Sequence, residues 1–457
     1  MGFKITNFMK QKIKQFFLTF ILVVVAYTGI FADNPMVPYV GMADPHIHIF
    51  NNKAYLYATR DADSTAQDFV MPDWNIWSSD DLINWTLERT ICPTETYMGE
   101  STSCWAADIA YKNGHYYFYF SNGNVNTGVM KGTSPTGPFV DALGEPLLHE
   151  DLTIGKEYDP TVLVDDDENA YLVFGHHRSY EDDLSFYIVK LNDDMISLAE
   201  KPQEIQIIHA PDLDTMVLRG NDKPNLHKRN GIYYLSAGSH YATSKNVYGP
   251  YTTRGNTGNN KFGLDSRAHG NFFEWNNQWF HTWCYFHLGR DVARYRESYI
   301  SYLHYKENGE MVTDTVLLEK HFETGVGQYD ANWDKIEAEW YMDASNVTKR
   351  ESPNGGFEIQ DIKNNGYLFF PNIHNLEQAK SISFHLASAN GGTIQVRGDD
   401  LNGPLLGSVN IPPTGGWHSY QKIDTDLKNL KDVNGVYLVF KGQDNSILHL
   451  DWFNFQD

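Results

Sequence analysis

Cysteine is nearly absent from this chain: Cys92, Cys104 and Cys284 are the only three in 457 residues. So few thiols cannot form a disulfide framework, although Cys92 and Cys104 could pair, and a chain of this length has ample core to hold itself together. Basic residues are also scarce, with 36 Lys and Arg against 58 Asp and Glu and a net charge of −22. A field of that sign repels polyanions and argues against nucleic acid as a partner. The run from Phe16 to Ala26 is short for a membrane-spanning helix. It follows Lys4, Lys10, Lys12 and Lys14 and precedes Gly29 and Ala32, the pattern of a secretory signal over residues 1–32. No cysteine directly follows it for lipid attachment. The sequence therefore predicts a periplasmic or secreted protein without a stable membrane anchor, its mature part starting near Asp33.

Long helical periodicity is missing from residues 33–325. What stands there is an aromatic hairpin repeated five times. Ala43-Asp44-Pro45 leads to Asn52 and Tyr55-Leu56-Tyr57. Trp105-Ala106-Ala107-Asp108 leads to Asn113-Gly114 and Tyr116-Tyr117-Phe118. Tyr158-Asp159-Pro160 leads to Asp165-Asp166-Asp167 and Tyr171-Leu172-Val173. Asp222-Lys223-Pro224 leads to Asn230-Gly231 and Tyr233-Tyr234-Leu235, and His269-Gly270 leads to Asn276-Asn277 and Trp279-Phe280. The turns at 52, 113, 167, 230 and 276 are about 61, 54, 63 and 46 residues apart, the length of a four-stranded propeller blade. The expectation is an all-β chain whose residues 33–325 form a five-bladed β-propeller. Residues 326–334 read as a linker. Residues 335–457 carry short alternating strands such as Ser381–Leu386 and Val436–Phe440, and read as a β-sandwich of the jelly-roll kind.

A propeller brings equivalent positions of its blades to one axis, so Asp44, Asp159 and Asp222, each opening an inner strand, could converge. Asp44 and Asp159 precede proline, which is expected to hold them extended and aim their carboxylates stiffly. Inverting glycoside hydrolysis needs one carboxylate to activate water and one protonated acid to assist the leaving oxygen, about 6.5–9.5 Å apart. A third carboxylate nearby can raise the acid's pKa.

These runs, together with Lys228-Arg229-Asn230-Gly231-Ile232-Tyr233-Tyr234-Leu235 and His269-Gly270-Asn271-Phe272-Phe273-Glu274, resemble glycoside hydrolase family 43, five-bladed propellers acting on arabinose- and xylose-containing glycans. The resemblance implies a plant-type polysaccharide or oligosaccharide as substrate, and release of α-L-arabinofuranosyl units. β-Xylosidase, galactan-directed and non-catalytic glycan-binding readings stay open beside it. It also implies that Asp44 is the general base and that Asp159 tunes and orients the acid. Trp105 would line the pocket, Arg296 would touch substrate, and His269 would sit on the axis where the family often holds calcium. The family's acid is usually a glutamate two residues before the position of Pro224. This chain has Asp222 there, followed by Lys223, so either the pocket has closed around a shorter acid or the acid is impaired.

Residues 335–457 resemble a family 6 carbohydrate-binding module through Ile336-Glu337-Ala338-Glu339, Gly391-Gly392-Thr393-Ile394, Thr414-Gly415-Gly416-Trp417 and Leu450-Asp451-Trp452-Phe453. The resemblance implies that Glu337, Glu339 and Asp451 bind a structural calcium, whose hard charge suits carboxylate oxygens. Trp417 matches one face of a sugar clamp. Asp361 stands where the opposing aromatic is expected, and His449 where an asparagine is customary.

Overall fold

A computed structural model describes residues 34–149, 151–154, 156–176, 186–210, 223–258, 269–443 and 446–457. The signal reading over residues 1–32 and Asp222 lie outside the described residues.

The five aromatic repeats form five sheets. The first blade holds β1 (Met42–Phe50), β2 (Lys53–Arg60), β3 (Trp74–Ser79) and β4 (Thr86–Ile91) as a meander. The second holds β5 (Cys104–Lys112), β6 (His115–Asn122), β7 (Asn126–Gly132) and β8 (Phe139–Asp141), and the third β9 (Glu157–Val164), β10 (Ala170–His176), β11 (Tyr187–Lys190) and β12 (Gln203–Glu204). In the fourth, β13 (Ile207–Ile208) adds in parallel outside β14 (Pro224–Arg229), β15 (Ile232–Ala237), β16 (His240–Ser244) and β17 (Tyr251–Asn256). The fifth consists of β18 (Phe272–Trp275), β19 (Gln278–Tyr285), β20 (Glu297–Tyr305) and β21 (Met311–Thr313).

Four of the five inner hairpins turn through two residues that both have positive φ: Asn51-Asn52, Asn113-Gly114, Asn230-Gly231 and Asn276-Asn277. That is the turn whose twist matches paired strands, and asparagine and glycine are the residues that tolerate it. Residues of β1, β5, β9, β14 and β18 together line an axial cavity of about 460 Å3, so these are the innermost strands. The ring closes between blades five and one without a shared strand. Asn271 accepts from Ile47 N at 3.0 Å and donates to Ile47 O at 2.9 Å, while Asn34 and Met36 bond to the backbone of β20.

The C-terminal domain stacks two sheets. One runs Thr348–Glu351, Phe357–Gln360, His449–Gln456, Ser381–Ser388 and Gly416–Asp426, with Ile336–Glu337 also pairing to His449–Gln456; the other runs Asp343–Ser345, Tyr367–Phe370, Val436–Lys441, Gly392–Gly398 and Leu405–Ile411. Its core is continuous with blades one and five, where Leu82, Phe280 and Tyr302 join Tyr329, Trp340 and the sandwich interior. Gln278 donates to the carbonyls of Glu339 (2.7 Å) and Tyr341 (2.9 Å), and Lys349 returns to Gln278 Oε1 at 2.5 Å.

The structure speaks to two points of the sequence reading. Residues 326–334 are not a loose linker: Val326, Gln328, Tyr329 and Ala331 are buried and Tyr329–Asp330 pairs with Ile373–His374, because those apolar side chains fill the seam between domains. Cys92 and Cys104 do not pair. All three cysteines are free thiols, Cys92 exposed and the other two buried.

Candidate active site

Asp44 and Asp159 occupy matching bulges. In β1 the register jumps between Ala43, paired to Thr59, and His46, paired to Tyr57, so Asp44-Pro45 stands opposite Ala58 alone. In β9 it jumps between Tyr158, paired to Gly175, and Thr161, paired to Val173, so Asp159-Pro160 stands opposite Phe174. Proline cannot donate to the ladder, and a two-against-one bulge is where such a residue fits within a sheet.

The expected extended backbone is corrected at both aspartates, whose φ values are 51° and 53°. Proline disfavours the right-handed helical region for the residue before it, and within the bulge aspartate takes the left-handed one, which it tolerates better than most side chains. Such a conformation costs on the order of 1–3 kcal/mol at each position and is held only where its surroundings enforce it. Both side chains are buried, at 2% exposure.

Around Asp44 the positive charge is dense. Arg296 Nη1 donates to Asp44 Oδ1 at 2.8 Å, and His269 Nδ1 lies against the same oxygen. Burial pushes the Asp44 carboxyl upward, but Arg296, His269 and Lys223 outweigh it and hold it far below the ordinary carboxylate range. An ionised, oriented carboxylate results, in the form a general base requires.

Arg296, expected to touch substrate, is fastened to two aspartates. Its Nε and Nη2 donate to Asp61 at 2.9 and 3.0 Å, its third nitrogen serves Asp44, and Phe69 lies across the guanidinium at 4.8 Å. Removing Arg296 would leave two buried aspartates without their counter-charge, at a cost of about 3–5 kcal/mol. Asp61 and Phe69 were not singled out from sequence. The available signal was an aspartate immediately after β2, in the same blade as Asp44. Trp105 is half-buried, edge-on to Phe69 (6.0 Å) and Tyr158 (6.4 Å), and with them forms an aromatic wall.

A second cluster lies deeper. Asp108 Oδ1 is 2.7 Å from His46 Nδ1 and 2.7 Å from His48 Nε2, while its Oδ2 accepts from Thr161 Oγ1 and Val162 N, both at 2.9 Å. Asp108 closes the run Trp105-Ala106-Ala107-Asp108, yet no role for it was legible there. Burial lowers the His46 pKa to about 4 against the pull of Asp108, so its ring is neutral near pH 7.

Beside this cluster Lys223 is buried at 1% exposure, its Nζ donating to Ala107 O at 3.0 Å and Pro160 O at 3.2 Å. An axial calcium does not fit this arrangement. Those carbonyls already serve an ammonium, and His269 Nδ1 faces Asp44.

In the sandwich Glu337, Glu339 and Asp451, the carboxylates expected to hold a calcium, are all buried. Glu339 is 4% exposed and its Oε2 has no hydrogen-bond partner among the described residues. Its carboxyl is pushed well up by burial, then by Glu337, with Asp314 and Asp451 adding. Glu337 is paired with Lys335 at 2.6 Å, and Asp451 accepts from His385 at 2.9 Å. Trp417 stacks on His449 at 4.9 Å, which covers one face of the indole, and Asp361 is held by Arg350 at 2.7 Å.

The family model described as glycosyl hydrolases family 43 matches residues 32–311, and that of carbohydrate binding module (family 6) matches residues 337–457. The chain is 28% identical to an arabinoxylan arabinofuranohydrolase of Paenibacillus polymyxa, over 93% of this chain and 74% of that protein. It is 27% identical to an arabinoxylan arabinofuranohydrolase of Bacillus subtilis (strain 168), over 93% and 92%. Among solved structures, a family 43 enzyme of Xanthomonas citri complexed with xylose superposes with a TM-score of 0.51 at 26% identity, covering 61% of this chain and 92% of that one. A Bacillus subtilis arabinoxylan arabinofuranohydrolase in complex with cellotetraose covers 94% and 98% with a TM-score of 0.56; at 24% identity that likeness speaks for the fold. With more than half of its length matched by the family model, and with two bulged aspartates on inner strands of a five-bladed ring, the chain belongs to glycosyl hydrolases family 43.

Proposed function

We propose that this protein is an inverting glycosidase that removes α-L-arabinofuranosyl units from arabinoxylan or its oligosaccharides. The observation that carries the reading is Asp44, buried, kept ionised by Arg296 and His269 and aimed from a bulge equivalent to that of Asp159. Asp44 is the water-activating base, Asp159 the carboxylate that tunes the acid, and Asp222 the proton donor. The two arabinofuranohydrolase relatives matched over 93% of this chain support the choice of sugar. A β-xylosidase reading is the second, favoured by a xylosidase/arabinosidase of Bacteroides ovatus that matches 48% of the chain at 29% identity.

Initial rates on aryl α-L-arabinofuranoside and aryl β-D-xyloside, with sugar analysis after incubation with arabinoxylan, separate the two. Free arabinose is the expected product, whereas xylose alone would favour the second reading. Early proton NMR spectra should show the released sugar with inverted anomeric configuration, because water attacks opposite the leaving group; a retained product would exclude the mechanism.

The cleavable leader expected over residues 1–32 supports a periplasmic or secreted location, which also suits a polysaccharide substrate. Glu337, Glu339 and Asp451 would hold one calcium in the sandwich, where it neutralises the mutually repelling carboxylates. A ligand that binds only the folded state stabilises it by mass action. Chelator should therefore lower the melting transition and added calcium restore it, the effect disappearing in Glu339→Gln. A transition indifferent to chelator would count against the site.

A further inference from the structure

We propose that Lys223 is an axial cation built into the chain, taking the place of a bound metal at the centre of the propeller and positioning Asp44 and Asp159 for hydrolysis. Lys223 immediately precedes β14 of the fourth blade, and its ammonium reaches carbonyls of the second and third, Ala107 O and Pro160 O. Pro160 follows Asp159 in its bulge, so the lysine grips the backbone turn that presents that carboxylate. Ala107 follows the register break of β5, which presents Trp105. The charged and titratable groups acting on it come from the other four blades: Asp44 and His46 from the first, Asp108 from the second, Asp159 from the third and Cys284 from the fifth.

An ammonium has three donors and no acceptor, so a pocket of carbonyls flanked by carboxylates suits it. Such a pocket also resembles what a hard cation takes from a protein. The difference is that a lysine is covalently held and cannot be chelated away. It also keeps a positive charge between aspartates that would otherwise repel one another, and it sustains the charged form of Asp44 together with Arg296 and His269. Its own burial opposes its charge and leaves its pKa below the usual lysine range, with Asp108, Asp159 and Asp44 pulling the other way.

The positioning role rests on the glycosidase reading above, whereas the cation role does not. The wild-type protein, stripped with chelator and assayed well below its melting temperature, should keep its rate on an aryl arabinofuranoside. Lys223→Ala, which opens the pocket, should lose about 100-fold in kcat with little change in KM, as expected for a misplaced catalytic group. Since Asp44 loses one of the neighbouring positive charges that keep it ionised, its protonation should begin to cost activity at a higher pH than in the wild type. Propylammonium or calcium should restore part of the rate. Independently of turnover, calorimetric titration with calcium should give a stoichiometry one higher for Lys223→Ala than for wild type.

A folded Lys223→Met variant with wild-type kcat and an unmoved pH profile would overturn the positioning role. Wild-type activity that vanishes on chelation and returns with calcium would overturn the cation role, and this arm decides even if the alanine variant does not fold. Should wild type hydrolyse no glycoside, the functional reading fails, while the titration still decides whether Lys223 fills a cation site.

Discussion

Asp44→Asn should abolish hydrolysis, with a loss in kcat on the order of 10²–10⁴-fold, the span typical of a missing general base. Asparagine keeps the shape of the side chain, and its carbonyl can still accept from Arg296, whose charge remains compensated by the two-point contact with Asp61. The fold should therefore survive, as circular dichroism and melting would report. The same geometry fixes the sign of the pH dependence in the wild type. A base is lost when the pH falls through its folded pKa, and Arg296, His269 and Lys223 hold that of Asp44 far down in spite of burial. An acid limb in the ordinary carboxylate range would thus belong to another group. Near-native turnover by a folded Asp44→Asn protein would remove Asp44 from the mechanism.

The second large effect concerns the proton donor. Asp222→Asn should lower the rate on arabinoxylan by about 10²–10⁴-fold while sparing aryl glycosides with good leaving groups, which need little protonation. The neighbouring Lys223 is fastened to Ala107 O and Pro160 O, so its ammonium is committed to the axis. If the pocket has closed around the shorter acid, Asp222→Glu should be neutral or harmful, because an added methylene overfills a packed site. A large gain from Asp222→Glu would mean that the native acid is impaired and that glycan binding matters more than turnover.

The sequence made the repeated hairpins and their turns readable, because a two-residue turn and an alternating aromatic strand are local signals. The aspartates were readable for the same reason, each standing beside proline at the head of a strand. Their left-handed backbone was not, since the bulge exists only once β2 or β10 has paired. The pairing of Arg296 with Asp44 was not readable, because the two lie 252 positions apart. No periodicity encodes a contact of that span. His46, His48 and Asp108 meet across two blades, and nothing in either strand alone marks them as neighbours. The segment 326–334 looked like a linker by composition, yet Tyr329 binds Tyr302 across the seam at 2.9 Å.

That seam has a consequence for the order of events as the chain is made. The first and last blades share no strand, and the apolar surface around Leu82, Phe280 and Tyr302 is covered by residues that follow the fifth blade in the sequence. A chain emerging from its amino end can complete every sheet of the ring before the cover for that surface exists. The unfinished molecule then shows a sticky flank, the kind of surface that invites chaperones or aggregation. The carboxyl-terminal sandwich is accordingly a poor cassette for exchange between enzymes: whatever it does for glycans, it also finishes the propeller's own interior.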